Sequence, residues 1–213
     1  MSAIAGRKLR VLDICSGTKS LGKACAAYPG QFEYTSLDRD SRLQPDICTD
    51  LHDWEFPARG SYDVIWCSPD CSQYSRCRCD PSFPPRDLER ADALVQRCVQ
   101  LVQHVQPRWV FFENPASSML VDRGLIDYPL HIVDYCQYGK PYRKSTAIWT
   151  NLQGWQPRRC NKTNCWAYRN GRHLSQIGRG TLLSYRNSKG IASVPERLLC
   201  EFLELMMREY HSG

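Results

Sequence analysis

Leu9-Arg-Val-Leu-Asp-Ile14, followed at once by Cys15-Ser-Gly-Thr18, is the stretch on which the fold turns. Its apolar residues read as a buried strand, and a glycine-containing bend leads from it into a helix over residues 16–28. Phe32 to Leu37 reads as a second strand, ending at the acidic group Asp38-Arg-Asp40. Tyr62 to Cys67 is a third, with a turn after it. A helix is predicted over residues 86–105. Leu88, Ala91, Leu94, Val95, Cys98, Leu101, Val102 and Val105 share one face at a 3.6-residue period, with Pro84 and Pro85 before and Pro107 after. Trp109 to Phe112, Leu130 to Tyr135 and Thr146 to Thr150 read as further strands. Residues 194–210 read as a closing helix. Strands alternating with helices predict an α/β fold around a parallel sheet.

The chain has 213 residues, enough for one such core with a small appendage. The expected division is a core over residues 1–152, an irregular basic segment over 153–190, and a C-terminal helix over 191–213 packing back on the core. At 42% hydrophobic and 23% charged residues the composition is that of a globular protein. No apolar run reaches the roughly 18 residues of a membrane span, so no membrane partner is expected. Residues 1–10 lack the pattern of a secretory signal. Twelve cysteines in such a chain point to a reducing, intracellular compartment. Cys25, Cys48, Cys98 and Cys200, in or near apolar runs, are expected to be core fillers. The net charge of +6 is local. Eight of the 28 basic residues fall between Asn151 and Gly190 without one acid, and the other 20 face all 22 acids. One segment therefore suits a polyanion.

In an open α/β sheet, ligands bind at the carboxyl ends of the strands. Ser16-Gly17, Asp38, Cys71 and Glu113 each follow a predicted strand and would meet at one crevice. Gly17 lets a ligand approach backbone N–H groups, and Asp38 is placed to accept from ribose hydroxyls. Asp46 can bond an exocyclic amine. Taken singly, Asp38 and Asp46 also read as ordinary loop acids. Cys71 lies in the proline-containing loop Cys67-Ser-Pro-Asp-Cys-Ser-Gln-Tyr-Ser75. A thiol exposed there, with its pKa lowered by a helix N-terminus or nearby cations, suits covalent catalysis. The same Cys also reads as structural, or as a metal ligand with Cys77 and Cys79. Glu113, in Phe111-Phe-Glu-Asn-Pro115, is a carboxyl after a buried aromatic strand. Desolvation there favours a protonated donor; capping of a following helix is the other reading.

Taken in order, these segments resemble the cytosine carbon-5 methyltransferases, most closely the short phage and virus-type members. Asp13-Ile-Cys-Ser-Gly-Thr-Lys-Ser-Leu-Gly22 resembles their D-L-F-x-G-x-G-G turn. Ser68-Pro-Asp-Cys-Ser-Gln-Tyr-Ser75 is similar to S-P-P-C-Q-x-F-S, and Glu113-Asn114-Pro115 to E-N-V. Tyr138-Gly-Lys-Pro-Tyr-Arg-Lys-Ser-Thr146 is similar to Y-G-x-P-Q-x-R-x-R. The resemblance covers roughly residues 9–151. It implies a Rossmann-like S-adenosylmethionine-dependent methyltransferase sheet and a place in the host cytoplasm or nucleus. It implies Cys71 as nucleophile and Glu113 at cytosine N3. The cofactor would lie against Asp13, Ser16, Gly17, Asp38, Asp46, Ile47 and Pro69. The partner implied is double-stranded DNA with one cytosine flipped out, met by Ser75, Asn114, Arg143, Lys144 and Thr146 of a monomer. Cys15, Lys19, Asp70, Ser72 and Thr146 stand where the family pattern has Phe, Gly, Pro, Gln and Arg. Asp70 beside a thiolate is expected to raise the thiol's pKa. Arg143 or Lys144 is expected to stand in for the Arg that Thr146 replaces.

A chain this short has no room for a separate target-recognition domain. The segment 153–190 is expected to take part of that role, with Arg158 and Arg159 on phosphates and Trp155, Trp166, Tyr168 and Tyr185 available for stacking. Cys160 and Cys165, four residues between them, and His173 have zinc-ligand spacing. Cys77, Cys79 or Cys136 would complete a structural site. The alternatives to a DNA methyltransferase are the same chemistry on RNA, an inert nucleic-acid binder with this fold, and a zinc-stapled interaction module.

Overall fold

The computed structural model describes residues 7–76, 82–175 and 193–212. Cys77, Cys79, Arg179, Tyr185, Arg186 and Lys189 lie outside the described residues. The chain is an α/β protein built on a seven-stranded sheet in the order β3-β2-β1-β4-β5-β7-β6. The strands are β1 (Leu9–Ile14), β2 (Phe32–Asp38), β3 (Ile47–Cys48), β4 (Val64–Cys67), β5 (Trp109–Pro115), β6 (Leu130–Asp134) and β7 (Ser145–Thr150). The first five run parallel, and β7 is antiparallel to both of its neighbours. Strand order reverses beside β1, between β2 and β4, so the crevice opens at the carboxyl ends of β1 and β4.

Among the described residues three α-helices cover the sheet: α1 (Ser20–Ala26), α2 (Leu88–Val105) and α3 (Glu196–Ser212). Alternation along the strands divides the core. Val11, Val64, Trp66, Trp109 and Phe111 face α1 and α3, with Phe111 and Phe202 rings 4.9 Å apart. Leu12, Ile65, Cys67, Val110 and Phe112 face α2. Both faces are buried, which is why these strands read as continuous apolar runs. The same alternation carries Glu113 onto the α1–α3 side, in line with Trp109 and Phe111.

Several boundaries move for local reasons. α2 begins at Leu88 because the Asp87 carboxylate accepts from the Arg90 N–H, a side-chain cap. β5 runs on to Pro115, paired with Thr146 of β7, so Glu113 lies within a strand and does not cap a helix. The two-residue β3 is too short to show any period. Cys25 and Cys98 are core residues, but Cys48 is exposed on the sheet edge and Cys200 is half-buried. Trp155 is buried against Phe202, ring centroids 4.7 Å apart, so it packs the core and is not free to stack on a base. β8 (Tyr168–Arg169) and β9 (Arg172–His173) form a small hairpin in the basic segment.

Candidate active site

The turn after β1 is built from alternating left-handed residues: Cys15, Gly17 and Lys19 have φ of 55°, 51° and 54°. Glycine adopts this without strain; Cys15 and Lys19 do not. The turn is held by its surroundings. The Gly17 N–H donates to Asp38 Oδ2 at 2.9 Å, the Asp40 N–H to Asp38 Oδ1 at 2.9 Å, and Lys19 Nζ donates to the Gln44 carbonyl. Gly22 is needed for a different reason. A Cβ there would lie 2.6 Å from the Tyr34 ring, so only glycine lets α1 lie this close to β2. Tyr34 in turn donates to Asp13 at 2.7 Å. Burial pushes the Asp13 carboxyl up to about 7, against the pull of the Tyr34 hydrogen bond.

A cleft of about 800 Å³ opens at the ends of β1, β4 and β5. Asp13, Ser16 and Gly17 form one wall, Pro69 and Cys71 a second, and Glu113, Asn114, Arg143 and Lys144 a third. A smaller pocket of about 220 Å³ adjoins it and holds Asp38. Cys15, Ser68 and Asp70 line both, so the two form one bent depression across the strand ends.

The Cys71 loop is clamped. Asn114 Nδ2 donates to the Pro69 carbonyl at 3.0 Å, and Arg86 donates to the carbonyls of Gln73 and Ser75, each at 2.8 Å. Beyond it Tyr74 is fully buried and donates to Asp92 at 2.8 Å. Asp70, which stands where the resemblance has Pro, turns its carboxylate onto Ser72, accepting from its N–H at 2.9 Å and its hydroxyl at 2.7 Å. The two departures in this loop are thus partners. Burial pushes the Cys71 thiol up, the charges of Glu113 and Asp70 add to that, and Lys144 opposes it.

Glu113 is buried and has two polar neighbours that its sequence context does not reveal. The Tyr135 hydroxyl donates to Oε1 at 3.0 Å, and the Lys144 ammonium lies 3.5 Å from the same oxygen. Thr146, fully buried, does not line the cleft; its hydroxyl donates to the Lys144 carbonyl at 3.5 Å. Among the described residues, Ser16 Oγ and Asn114 Oδ1 are buried without a hydrogen-bond partner. Orphaned acceptors on two walls of one cleft are places a polar ligand would satisfy.

Other predicted residues sit elsewhere. Asp46 turns back on β2, accepting from the Ser36 N–H at 2.8 Å and hydroxyl at 2.6 Å, which holds its carboxyl below the usual range. Ile47 packs on the α2 side of the core. Ser75 lies in the clamped loop away from the cleft wall. Arg158 pairs with Glu201 and Arg159 with the buried Asp134, at 3.0 Å. Cys160, Cys165 and His173 do come together, and Cys136 joins them. Tyr135, Trp66 and Leu199 were not singled out by sequence reasoning.

A scan against protein-family models gave no match. The chain is 31% identical over 171 residues to the "Probable DNA (cytosine-5)-methyltransferase" of Frog virus 3 (isolate Goorha), covering 74% of this chain and 78% of that one. The chain belongs to the cytosine carbon-5 DNA methyltransferase family. Among solved structures, the S. pombe Dnmt2 methyltransferase is similar at a TM-score of 0.46 and 16% identity over 73% of this methyltransferase. The chain spans 53% of that protein's length. No helix among the described residues of the methyltransferase is long and apolar enough to cross a membrane.

Proposed function

We propose that this chain transfers a methyl group from S-adenosylmethionine to carbon 5 of cytosine in double-stranded DNA, through a covalent adduct on Cys71. One observation carries the reading: Cys71, from the loop after β4, and Glu113, from within β5, face a single cleft with Lys144 beside them. The frog-virus relative, named for DNA cytosine, supports the substrate.

The cofactor fits the residues present. The unpartnered Ser16 hydroxyl, with Asp13, Gly17 and Pro69 on the same cleft, would hold its methionine end. Asp38 in the adjoining pocket would face its ribose. Asp46 and Ile47, set behind β2 and in the core, would act through the shape of that edge. When bound, S-adenosylmethionine would supply an electrophilic sulfonium methyl, its sulfur keeping the electron pair of the broken methyl–sulfur bond and leaving as a neutral thioether.

Carbon 5 of cytosine is a weak nucleophile. Addition of the Cys71 thiolate to carbon 6 forms a C–S bond and moves a ring electron pair, making carbon 5 an enamine carbon that can attack the methyl. Glu113 shares a proton with ring N3 and so stabilises the adduct. Lys144 offsets negative charge at both groups. Loss of the carbon-5 proton and elimination of Cys71 as thiolate restore the aromatic ring. The base must first leave the stack to reach this cleft. Asn114 and Arg143 would hold it, with Lys144 standing in for the Arg that Thr146 replaces. The exposed cations of the basic segment would meet phosphate. All three walls of the cleft come from one chain, which supports action as a monomer. Cysteines free of disulfides among the described residues support a reducing, intracellular setting. A structural zinc ion on Cys160, Cys165 and His173 belongs to the same reading.

The test is tritium transfer from labelled cofactor to duplex DNA, duplex RNA and poly(dI-dC), with wild type and Cys71→Ser. Label on DNA from wild type alone is expected. Label on RNA only would overturn the substrate, and no label on any polymer would overturn the activity.

A further inference from the structure

Outside the cleft, the described residues bring together Cys136, Cys160, Cys165 and His173, whose ligand atoms all lie within 4.8 Å of one another. The sulfurs of Cys160 and Cys165 are 3.5 and 3.6 Å from the same atom, His173 Nε2. One ring nitrogen offers one lone pair, so it cannot accept from both thiols. A tetrahedral zinc ion resolves this. With Zn–S of about 2.3 Å and Zn–N of about 2.05 Å, tetrahedral angles put sulfur and nitrogen roughly 3.5–3.6 Å apart. Among its described residues the surrounding segment has one hairpin, of two residues per strand, to order it.

Cys136 sets this cluster apart from a free-standing zinc loop. It belongs to the core, in a 3-10 turn directly after β6, while its three partners belong to the basic segment. The residue before it is Tyr135, whose hydroxyl donates to Glu113 at 3.0 Å. The turn is tied to the segment at two more points. Trp166 Nε1 donates to the Cys136 carbonyl at 2.8 Å, and the Cys160 N–H donates to Asp134 Oδ2 at 2.8 Å. Asp134 Oδ1 in turn accepts from Arg143 of the cleft wall at 2.9 Å.

Resting on the functional reading above, we propose that Cys136, Cys160, Cys165 and His173 bind one zinc ion, and that this ion fixes Tyr135 as the positioning residue for Glu113. The ion is then joined through a single peptide unit to the hydroxyl that aims the catalytic carboxyl. It also holds the basic segment against the wall that meets the substrate. Metal loading and methyl-transfer chemistry become one property, though no ligand touches the reacting base.

The experiment uses the full chain purified without chelator. Elemental analysis is expected to find about one zinc per chain. Cobalt substitution is expected to give the absorption of a tetrahedral site with three thiolates. Protein without metal, or a cobalt spectrum with two thiolates, would overturn the ligand set. Cys136→Ser is expected to lose the metal and to lower kcat at least tenfold, with KM for S-adenosylmethionine unchanged. Cys136→His, which keeps a fourth ligand, guards against a simple folding failure: it is expected to retain zinc, drop to a two-thiolate cobalt spectrum, and keep more activity than Cys136→Ser. Tyr135→Phe is expected to keep zinc and the wild-type cobalt spectrum but lower kcat without moving either KM. Full kcat in metal-free protein, or in Tyr135→Phe, would overturn the link to Glu113. The metal and cobalt readings need no turnover. A zinc-loaded protein that methylates nothing would therefore sink the functional reading and the link to Glu113, leaving the ligand set standing.

Discussion

Cys71 feels charges of both signs. Burial, Glu113 and Asp70 hold its thiol above the ordinary range, and Lys144 pulls the other way. The thiolate that the proposed mechanism needs is therefore the minor form at neutral pH, and kcat should rise as pH rises into the alkaline range. Asp70→Asn removes a negative charge, so it should shift that rise to lower pH; an unmoved profile would show that Asp70 does not act on the thiol. Gly22→Ala tests the approach of α1 to β2. The added methyl meets the Tyr34 ring and should cost about 1–3 kcal/mol, seen as a lower melting temperature. A melting temperature equal to wild type would mean that Tyr34 moves freely. At this scale the sequence displayed Cys71 and Glu113, because each follows an apolar run and belongs to a recognisable motif. Tyr135 and the Asp70–Ser72 pairing depend on which way side chains turn, which no motif records.

Among the elements, β1, β4, β5 and α2 were legible because a buried strand leaves a continuous apolar run and a surface helix leaves a 3.6-residue period. β3 was not, since two residues carry no period. Trp155 differs from its expected place because an aromatic among basic residues reads the same whether it stacks on a base or, as here, packs edge to face against Phe202. The unit of β1, its turn and α1 carries a pH-dependent contribution of its own. Asp13 titrates at about 7 in the folded chain, against an ordinary value of 3.8. The folded state thus holds this proton more tightly than the unfolded one. Its stabilising effect is complete below the unfolded value and is lost as pH rises to about 7. The melting temperature of wild type relative to Asp13→Asn should fall between about pH 4 and 7 and level off above it. Parallel curves would contradict a buried Asp13 that holds its proton.

For the molecule as a whole, charge decides where DNA would lie. Arg158 and Arg159 are paired with Glu201 and Asp134, while Lys162, Arg169 and Arg172 are exposed and pair with no described acid. Neutralising the second group should flatten the salt dependence of DNA binding by about 0.9 in log–log slope for each phosphate that no longer meets a cation, and neutralising the first group by less. Equal slopes for the two sets would mean that the ion pairs do not matter. In the proposed mechanism the sheet's crevice, the cleft and the cluster of Cys136, Cys160, Cys165 and His173 would all serve one event, attack of the Cys71 sulfur on an extruded cytosine. That event can be stopped midway. With 5-fluorocytosine in the DNA, carbon 5 carries no proton to lose after methylation, so the C–S bond should persist. Mass spectrometry of the digested complex, formed with S-adenosylmethionine, should find the modified nucleotide on the peptide containing Cys71, and none with Cys71→Ser. Methylation of ordinary cytosine DNA without any such adduct, or an adduct on another cysteine, would contradict the account.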